Sequence, residues 1–310
     1  MQQEMEYVYE MYRQGNIMKA AEKLFISQPA LSMSIRKTES ELGMPLFDRS
    51  TRPMQLTEAG RIYIESIEKM RRLELELKDR LDDLSELRGG TLRVGGSHYI
   101  ISRILGPVLT RFHRLYPGVR IELTENSSAV LSELLKERRI DLTLSCNEDL
   151  IREFEHFPAF QDRILLAVPS CHPICGEHDA EALSAADILS GKHLQDNCPK
   201  VRLEAFQDLE YILLDAGNNL HDRAIRLFQE AGISPQISLS LAQLATAYQL
   251  AAEGFGATLT CDRMVTSAEV PLTFYLPDSQ ITVRQFFFLF PTTDYTPKAI
   301  RELIRLFREG

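Results

Sequence analysis

The sequence predicts an α/β protein in three successive parts: a small helical N-terminal unit, one long helix, and a large region of alternating strands and helices. Three observations carry this expectation. Short helical apolar stripes broken by cap and turn residues fill positions 1–60; a heptad-like stripe without proline runs through 57–88; and after Gly89 and Gly90, strand-like runs alternate with amphipathic segments. At 310 residues and 44% hydrophobic, the chain can bury one large core or two modest ones, which excludes overall disorder.

In the N-terminal part, Ile17, Ala20, Ala21 and Leu24 form a helical stripe whose alanines let another helix approach closely. Phe25 and Ile26 then lead to Ser27, an N-cap residue, with Pro29 just inside the next helix, where its missing amide hydrogen costs nothing. The buried stripe of this second helix is expected at Leu31, Ile35 and Leu42, with Thr38 standing where another apolar residue fits. Gly43 ends it and Pro45 forbids its continuation. In "MPLFDRSTRPMQLT", Leu46 and Phe47 are anchors, 48–52 a polar basic tip and 54–57 a returning strand, which together read as a wing.

The face of the second helix opposite its stripe carries Gln28, Ser32, Met33, Arg36 and Lys37, after Ser27 and Pro29 at its start. Small polar groups near a helix start, with cations further along, suit insertion into a DNA major groove. Gln28 matches an adenine edge, Ser32 a base or phosphate, Met33 a thymine methyl, and Arg36 and Lys37 a phosphate or guanine. Arg49 and Arg52 on the wing tip suit the neighbouring backbone or minor groove. The whole chain is acidic, with a formal net charge of -9 and a pI near 5.4, but seven cations balance eight carboxylates within residues 1–60. The acid therefore lies in the remainder, and a basic surface can exist locally.

In the long helix Tyr63, Met70, Leu77 and Leu84 repeat every seven residues, with Ile67, Leu73, Leu81 and Leu87 between them and charged flanks around them. This is the pattern of a dimerising coiled-coil seam, with Gly89 and Gly90 as its end and a hinge; a single amphipathic helix packed on its own domain is the lesser alternative. A dimer suits a reader, because two recognition helices about 34 Å apart address half-sites one turn apart. In the C-terminal part, strands are expected at 92–95, 120–124, 141–146, 164–169, 211–214, 237–239, 257–260 and 286–290. Helices are expected at 101–116, 129–138, 220–231, 241–253 and 297–308, an alternation that predicts mostly parallel sheets.

The segments "AAEKLFISQPALS", "IRKTESELGMPLFDRS" and "LTEAG", from Ala20 to Gly60, closely resemble the LysR-type transcriptional regulators. The resemblance implies a winged helix-turn-helix at 1–60, a linker and dimerisation helix with hinge at 61–90, and an effector-binding domain of periplasmic-binding-protein type at 91–310. Where the residues alone also allow one sheet of eight strands, the resemblance implies two α/β subdomains joined by crossing strands, the first at 91–162 plus 269–310 and the second at 163–268. Met33 stands where that family often has Arg or Lys, and Thr38 where it usually has Leu. The implied partners are double-stranded operator DNA, a small effector, a second copy or a tetramer, and RNA polymerase; no cofactor, metal or membrane is called for.

The effector then belongs between the subdomains, where strand ends meet helix starts. Ser97 and His98 follow the first strand, Asn126 and Ser127 the second, and Ser145 the third, while Gln243 and Thr246 open a later helix. Such residues with free helix-start amides suit a small anion, although Ser, Thr and Asn are also ordinary caps. Ser97, Ser127 and Thr246 match positions that line the cleft in the resembling family, and His98 is either a charge sensor or a packed ring.

Other signals point away from enzymes. No G-x-S-x-G, H-E-x-x-H or P-loop pattern occurs, and "RVGGSHY" lacks the third glycine and the downstream carboxylate of a dinucleotide fingerprint. Cys171, His172, Cys175 and His178 are crowded into one loop, whereas zinc sites bring separated pairs together. The five cysteines, an odd number, fit a reducing compartment; Cys198 in "DNCPK" reads as exposed, and "LLDAGNNLHD", the loop resembling that of peroxide-sensing relatives, has no cysteine. With neither a signal-like start in "MQQEMEYVYE" nor an apolar run of about 20 residues, a cytoplasmic location is expected and a secreted solute-binding protein is disfavoured.

Overall fold

Small residues and well-placed caps build the first part of the chain. In the computed structural model, which describes residues 3–48, 50, 54–84, 87–291 and 295–309, contacts divide the chain into two units, Met1–Leu84 and Ser85–Gly310. In the first unit, α1 (Gln3–Gln14), α2 (Ile17–Lys23) and α3 (Gln28–Leu42) pack around Val8, Met11, Ala20 and Leu31, all buried. The Asn16 side chain accepts from the amides of Met18 and Lys19 to start α2, and Ser27 Oγ accepts from Ala30 N at 3.3 Å to start α3. Gly43, at φ 73°, ends α3 in the left-handed region that a glycine enters without a Cβ penalty.

The stripe of α3 differs from expectation at its end. Leu31 and Ile35 are buried, but Leu42 is 43% exposed and Thr38 takes the inner position, its hydroxyl donating to Ser34 O at 3.1 Å. The reason is the chain that follows: Leu46 and Phe47 are buried in the same core, and Glu39 Oε1 accepts from both their amides, at 2.9 and 3.2 Å. The wing ladder is short, β1 (Phe47–Asp48) pairing antiparallel with β2 (Gln55–Leu56). Arg49 and Arg52 lie outside the described residues.

Thr57 joins the wing to the long helix. Its hydroxyl donates to Pro45 O and accepts from Gly60 N, and its amide donates to Leu46 O, before α4 (Glu58–Leu84). Ile64 and Ile67 of α4 are buried in the unit's core, whereas Met70, Leu73, Leu77 and Leu81 are exposed. Within the described residues α4 runs to Leu84, and Leu87 is not a seam residue: at φ 63° it is buried in the core of the second unit. The glycines instead enter a strand, Gly90 O accepting from Arg120 N at 3.0 Å.

The second unit contains β3 (Thr91–Gly96), a π-helical turn (Ile100–Leu105) continuing into α5 (Gly106–Leu115), β4 (Arg120–Glu125), α6 (Ser128–Lys136), β5 (Thr143–Ser145) and α7 (Glu148–Glu153). There follow β6 (Glu155–Pro169), α8 (Ile174–Glu177), α9 (Ala185–Leu189), β7 (Glu210–Leu214), α10 (Asn219–Glu230), β8 (Gln236–Leu241) and α11 (Leu244–Ala252). The chain closes with β9 (Ala257–Cys261), β10 (Leu272–Tyr275), β11 (Val283–Phe290) and α12 (Lys298–Arg308). Parallel pairs join β3 to β4 and β7 to both β8 and β9, and a parallel bridge Val94–Leu142 ties β3 toward β5. A Cβ on Gly95 would lie 2.5 Å from Ile140 Cδ1 and 2.7 Å from Leu131 Cδ2, so "RVGGSHY" serves close strand–helix packing.

The fifteen-residue β6 makes these sheets mixed rather than mostly parallel, because β9, β10 and β11 all run antiparallel to it. Its first half, up to Arg163, pairs with β11, and from Ile164 it pairs with β9 and β10. One strand thus serves two sheets, β11 and β5 lying on the first side and β9, β7 and β8 on the second. The return is later than Glu269: β10 pairs with the second half of β6, Asp278 N donates to Val201 O, and β11 begins only at Val283. Residues 269–282 therefore belong to the second subdomain, and β10, a four-residue strand between Pro271 and Pro277, is absent from the sequence-based strand set.

Where the strands change partners, Asp162 and Arg284 face each other across β6 and β11 and are both buried. Arg284 Nε and Nη2 donate to the two Asp162 oxygens at 2.8 and 2.5 Å, and Nη2 also to Cys261 Sγ at 2.6 Å. Tyr99 OH donates to Asp162 Oδ2 at 2.7 Å. Burial alone would weaken the proton affinity of Arg284, but the Asp162 charge, together with the Cys261 and Cys146 sulfurs and the hydrogen bond to Asp162, outweighs it and raises the pKa well above the usual range. The guanidinium also lies 4.9 Å from the Phe286 ring centroid.

Two outcomes follow for denaturant unfolding of the purified chain. Arg284→Met strands a buried carboxylate and should cost about 3–5 kcal/mol, part of which Arg284→Met with Asp162→Asn recovers; equal losses in the single and double variants would contradict a paired role. Gly60→Ala would drive a Cβ into the Leu46 carbonyl and should destabilise the first unit by about 1–3 kcal/mol, leaving the second unit's transition in place.

Candidate DNA-reading surface and effector cavity

On the first unit, the polar face expected of α3 is the exposed one. Ser27, Gln28, Pro29, Met33, Arg36 and Lys37 are exposed and Ser32 is half-buried, while Leu31 and Ile35 on the other side are buried in the core. No carboxylate stands in the first turn of α3, so its N-terminal amides and positive dipole end meet no counter-charge from that turn. Lys37 Nζ lies 4.0 Å from Glu4 and 3.8 Å from Glu41, exposed pairs of the kind that solvent screens strongly.

Within the second unit, a cavity of about 490 Å³ opens between the strand ends of the two subdomains. From the first subdomain it is lined by Ser97, His98, Asn126, Ser127 and Ser145; from the second by Asn218, Asn219 and Gln243. The first residues of α6, α10 and α11 all face it. Thr246 is exposed and does not line it: the lining follows the chain only from Ala242 to Leu244, the first residue of α11, and Thr246 lies two residues further along that helix.

Most lining hydroxyls also cap. Ser97 Oγ accepts from Ile100 N, Ser127 Oγ from Val130 N at 3.5 Å, and the buried Ser145 Oγ from Asn147 N at 3.1 Å. An accepting hydroxyl keeps its own O–H to donate, so capping and ligand binding do not exclude one another. Asn218 Oδ1 accepts from Leu220 N to start α10, whereas Gln243, at the start of α11, makes no side-chain capping bond. His98 Nδ1 lies 3.2 Å from Glu125 Oε2, both partly exposed.

Arg284, Tyr99, Cys146, Glu125 and Asp215 also line the cavity and were missed by sequence reasoning. An arginine inside the apolar run "TVRQFFFLF" was the available signal, since a buried cation must find a partner. Cys146 Sγ donates to Asn219 Oδ1 at 3.1 Å across the cavity wall, and burial raises its pKa. The same cause pushes Cys261 well up. Cys198 is buried rather than exposed, and Cys171 is the exposed thiol. In the loop of Cys171, His172 Nδ1 accepts from Ile174 N and the His178 ring packs on Phe206, so these rings serve local structure. Among the described residues no three His, Cys, Asp or Glu side chains are grouped as metal ligands. Nor, among them, is any helix long and apolar enough to cross a membrane.

Comparison with known proteins agrees with this layout. The "LysR substrate binding domain" profile matches residues 85–310, and "Bacterial regulatory helix-turn-helix protein, lysR family" matches residues 2–61. The chain is 28% identical over 306 residues to "Uncharacterized HTH-type transcriptional regulator YcgK" of Bacillus subtilis (strain 168), covering 99% of this chain and 93% of that one. It is 30% identical over 197 residues to "HTH-type transcriptional regulator YtlI" of the same organism, covering 63% and 62%. Among solved structures, a cysteine-substituted full-length OxyR from Pseudomonas aeruginosa shares the fold at TM-score 0.62 and 21% identity, covering 98% of this chain and 96% of that one. Full-length CbnR complexed with its target DNA does so at TM-score 0.57 and 21% identity, covering 100% and 99%. With a helix-turn-helix profile on the first unit and a substrate-binding profile over the second, the chain belongs to the LysR family of transcriptional regulators.

Proposed function

We propose that this regulator reads operator DNA with the N-terminal half of α3 and responds to a small carboxylate held between the subdomains of its second unit. The observation that carries the effector reading is the cavity of about 490 Å³ onto which three helix starts from both subdomains converge. The guanidinium in its lining, Arg284, is already neutralised by Asp162, so recognition of the carboxylate falls to backbone amides and to hydroxyls such as that of Ser127. A ligand touching both walls favours one relative placement of the subdomains, and its differential affinity for that placement is the signal.

A second reading is favoured by Glu125 and Asp215. They line the cavity from opposite subdomains, and a ligand that carries an ammonium group beside its carboxylate, as an α-amino acid does, satisfies both kinds of wall. For the DNA reading, support comes from the exposed face of α3; Arg49 and Arg52 on the wing remain proposed contacts. The exposed Met70, Leu73, Leu77 and Leu81 of α4 support pairing with a second copy through that helix, as a dimer or within a tetramer.

Titration calorimetry of the full chain with simple carboxylates and α-amino acids tests the effector. Ser127→Ala should weaken whichever class binds by about three- to tenfold, and Asp215→Asn should weaken only α-amino acids. Binding of neither class by a chain that still binds DNA would end the carboxylate reading. For the reader, Arg36→Ala should lower DNA affinity across sequences and reduce the slope of log K against log salt by about one; an unchanged slope would remove Arg36 from the interface.

A further inference from the structure

Phe25 is placed against the preferences of its own fold. It lies in the turn between α2 and α3 at φ 55°, a left-handed conformation that brings Cβ close to the following carbonyl and that glycine or asparagine adopts more readily. The turn is held there, Phe25 N donating to Glu22 O and Ile26 N to Ala21 O, both at 3.1 Å. Its neighbours Leu24 and Ile26 pack on the unit's core, but the Phe25 ring is 96% exposed. Neither backbone geometry nor core packing therefore accounts for a large aromatic ring at this position.

We infer that Phe25 is a DNA-contacting residue whose ring packs on deoxyribose and thymine methyl groups at the edge of the site read by α3. The inference rests on α3 being the DNA-reading helix. Position 25 precedes the Ser27 cap by two residues and leads directly to the exposed Gln28 and Pro29, so the exposed ring sits within three residues of the start of α3. No carboxylate in the first turn of α3 opposes a phosphate there. A phenyl ring is a known partner for the thymine methyl, and its contact adds affinity without releasing counterions. This suits a reader in which seven cations face eight carboxylates over residues 1–60.

The test uses the full chain and a duplex that the wild type selects from a random pool, with Kd measured across a salt series and thermal unfolding measured in parallel. Phe25→Asn should raise Tm or leave it unchanged and weaken binding by about tenfold, with the salt slope unaltered. Phe25→Tyr, which keeps the ring, should bind as the wild type does. Gln28→Ala serves as the control for α3. Wild-type affinity in Phe25→Asn with weakened Gln28→Ala overturns the role of Phe25 alone, and wild-type affinity in both overturns the α3 reading with it. A lower Tm in Phe25→Asn would show a folding role instead, and weaker self-association without DNA at unchanged DNA affinity would assign the ring to a contact between copies; either overturns the inference.

Discussion

The second unit depends on one buried contact, the Asp162–Arg284 pair at the point where β6 leaves one sheet and enters another. Two strands that change partners expose polar backbone and mismatched twist at the junction, and a cross-strand bidentate pair holds the register there. Desolvating both charges is costly, and the Tyr99 and Cys261 bonds add one partner each to the carboxylate and the guanidinium beyond their mutual pair. Arg223 adds a second guanidinium nearby, donating to Ile281 O and Val283 O where the chain returns to β11. Arg284 and Tyr99 also line the cavity, so the residues at the strand exchange form part of its wall.

That arrangement changes what the cavity can recognise. An unpaired arginine would attract any anion strongly, but a paired one contributes direction more than net charge. In the proposed function, recognition then passes to oriented amides at the starts of α6, α10 and α11, whose partial charges need no counter-ion. Burial raises the pKa of the nearby thiols Cys146 and Cys261, which favours their protonated form.

The first unit resolves the apparent conflict between an acidic chain and a polyanionic partner. Its carboxylates and cations nearly balance, and α3 turns the uncharged Gln28 and Ser32 and the cations Arg36 and Lys37 away from the core. Affinity in such a reader comes from position, local dipole and apolar contact as well as from charge. The helix α4 serves the same unit twice, burying Ile64 and Ile67 in its core and then extending an apolar stripe beyond it.

Local chemistry made much of this legible in advance. Ser27, Pro29 and Gly43 mark the ends of α3 through cap and backbone preferences that act within a few residues, and of the residues expected around the cavity, the five after strands and Gln243 at a helix start lie in its lining. What periodicity missed was set by distant chain. Thr38 is buried and Leu42 exposed because Leu46 and Phe47 return over the helix end; β10 exists because the second half of β6 offers it an edge; and Thr246 falls outside the cavity because only the first residue of α11, Leu244, reaches its wall. The sequence by itself determined caps, helix faces and the alternation of strands and helices, since these depend on neighbours along the chain. Only the tertiary structure decided where the return crossing lies and that Arg284 meets Asp162, because 122 residues separate the pair and no local pattern encodes which strands become neighbours.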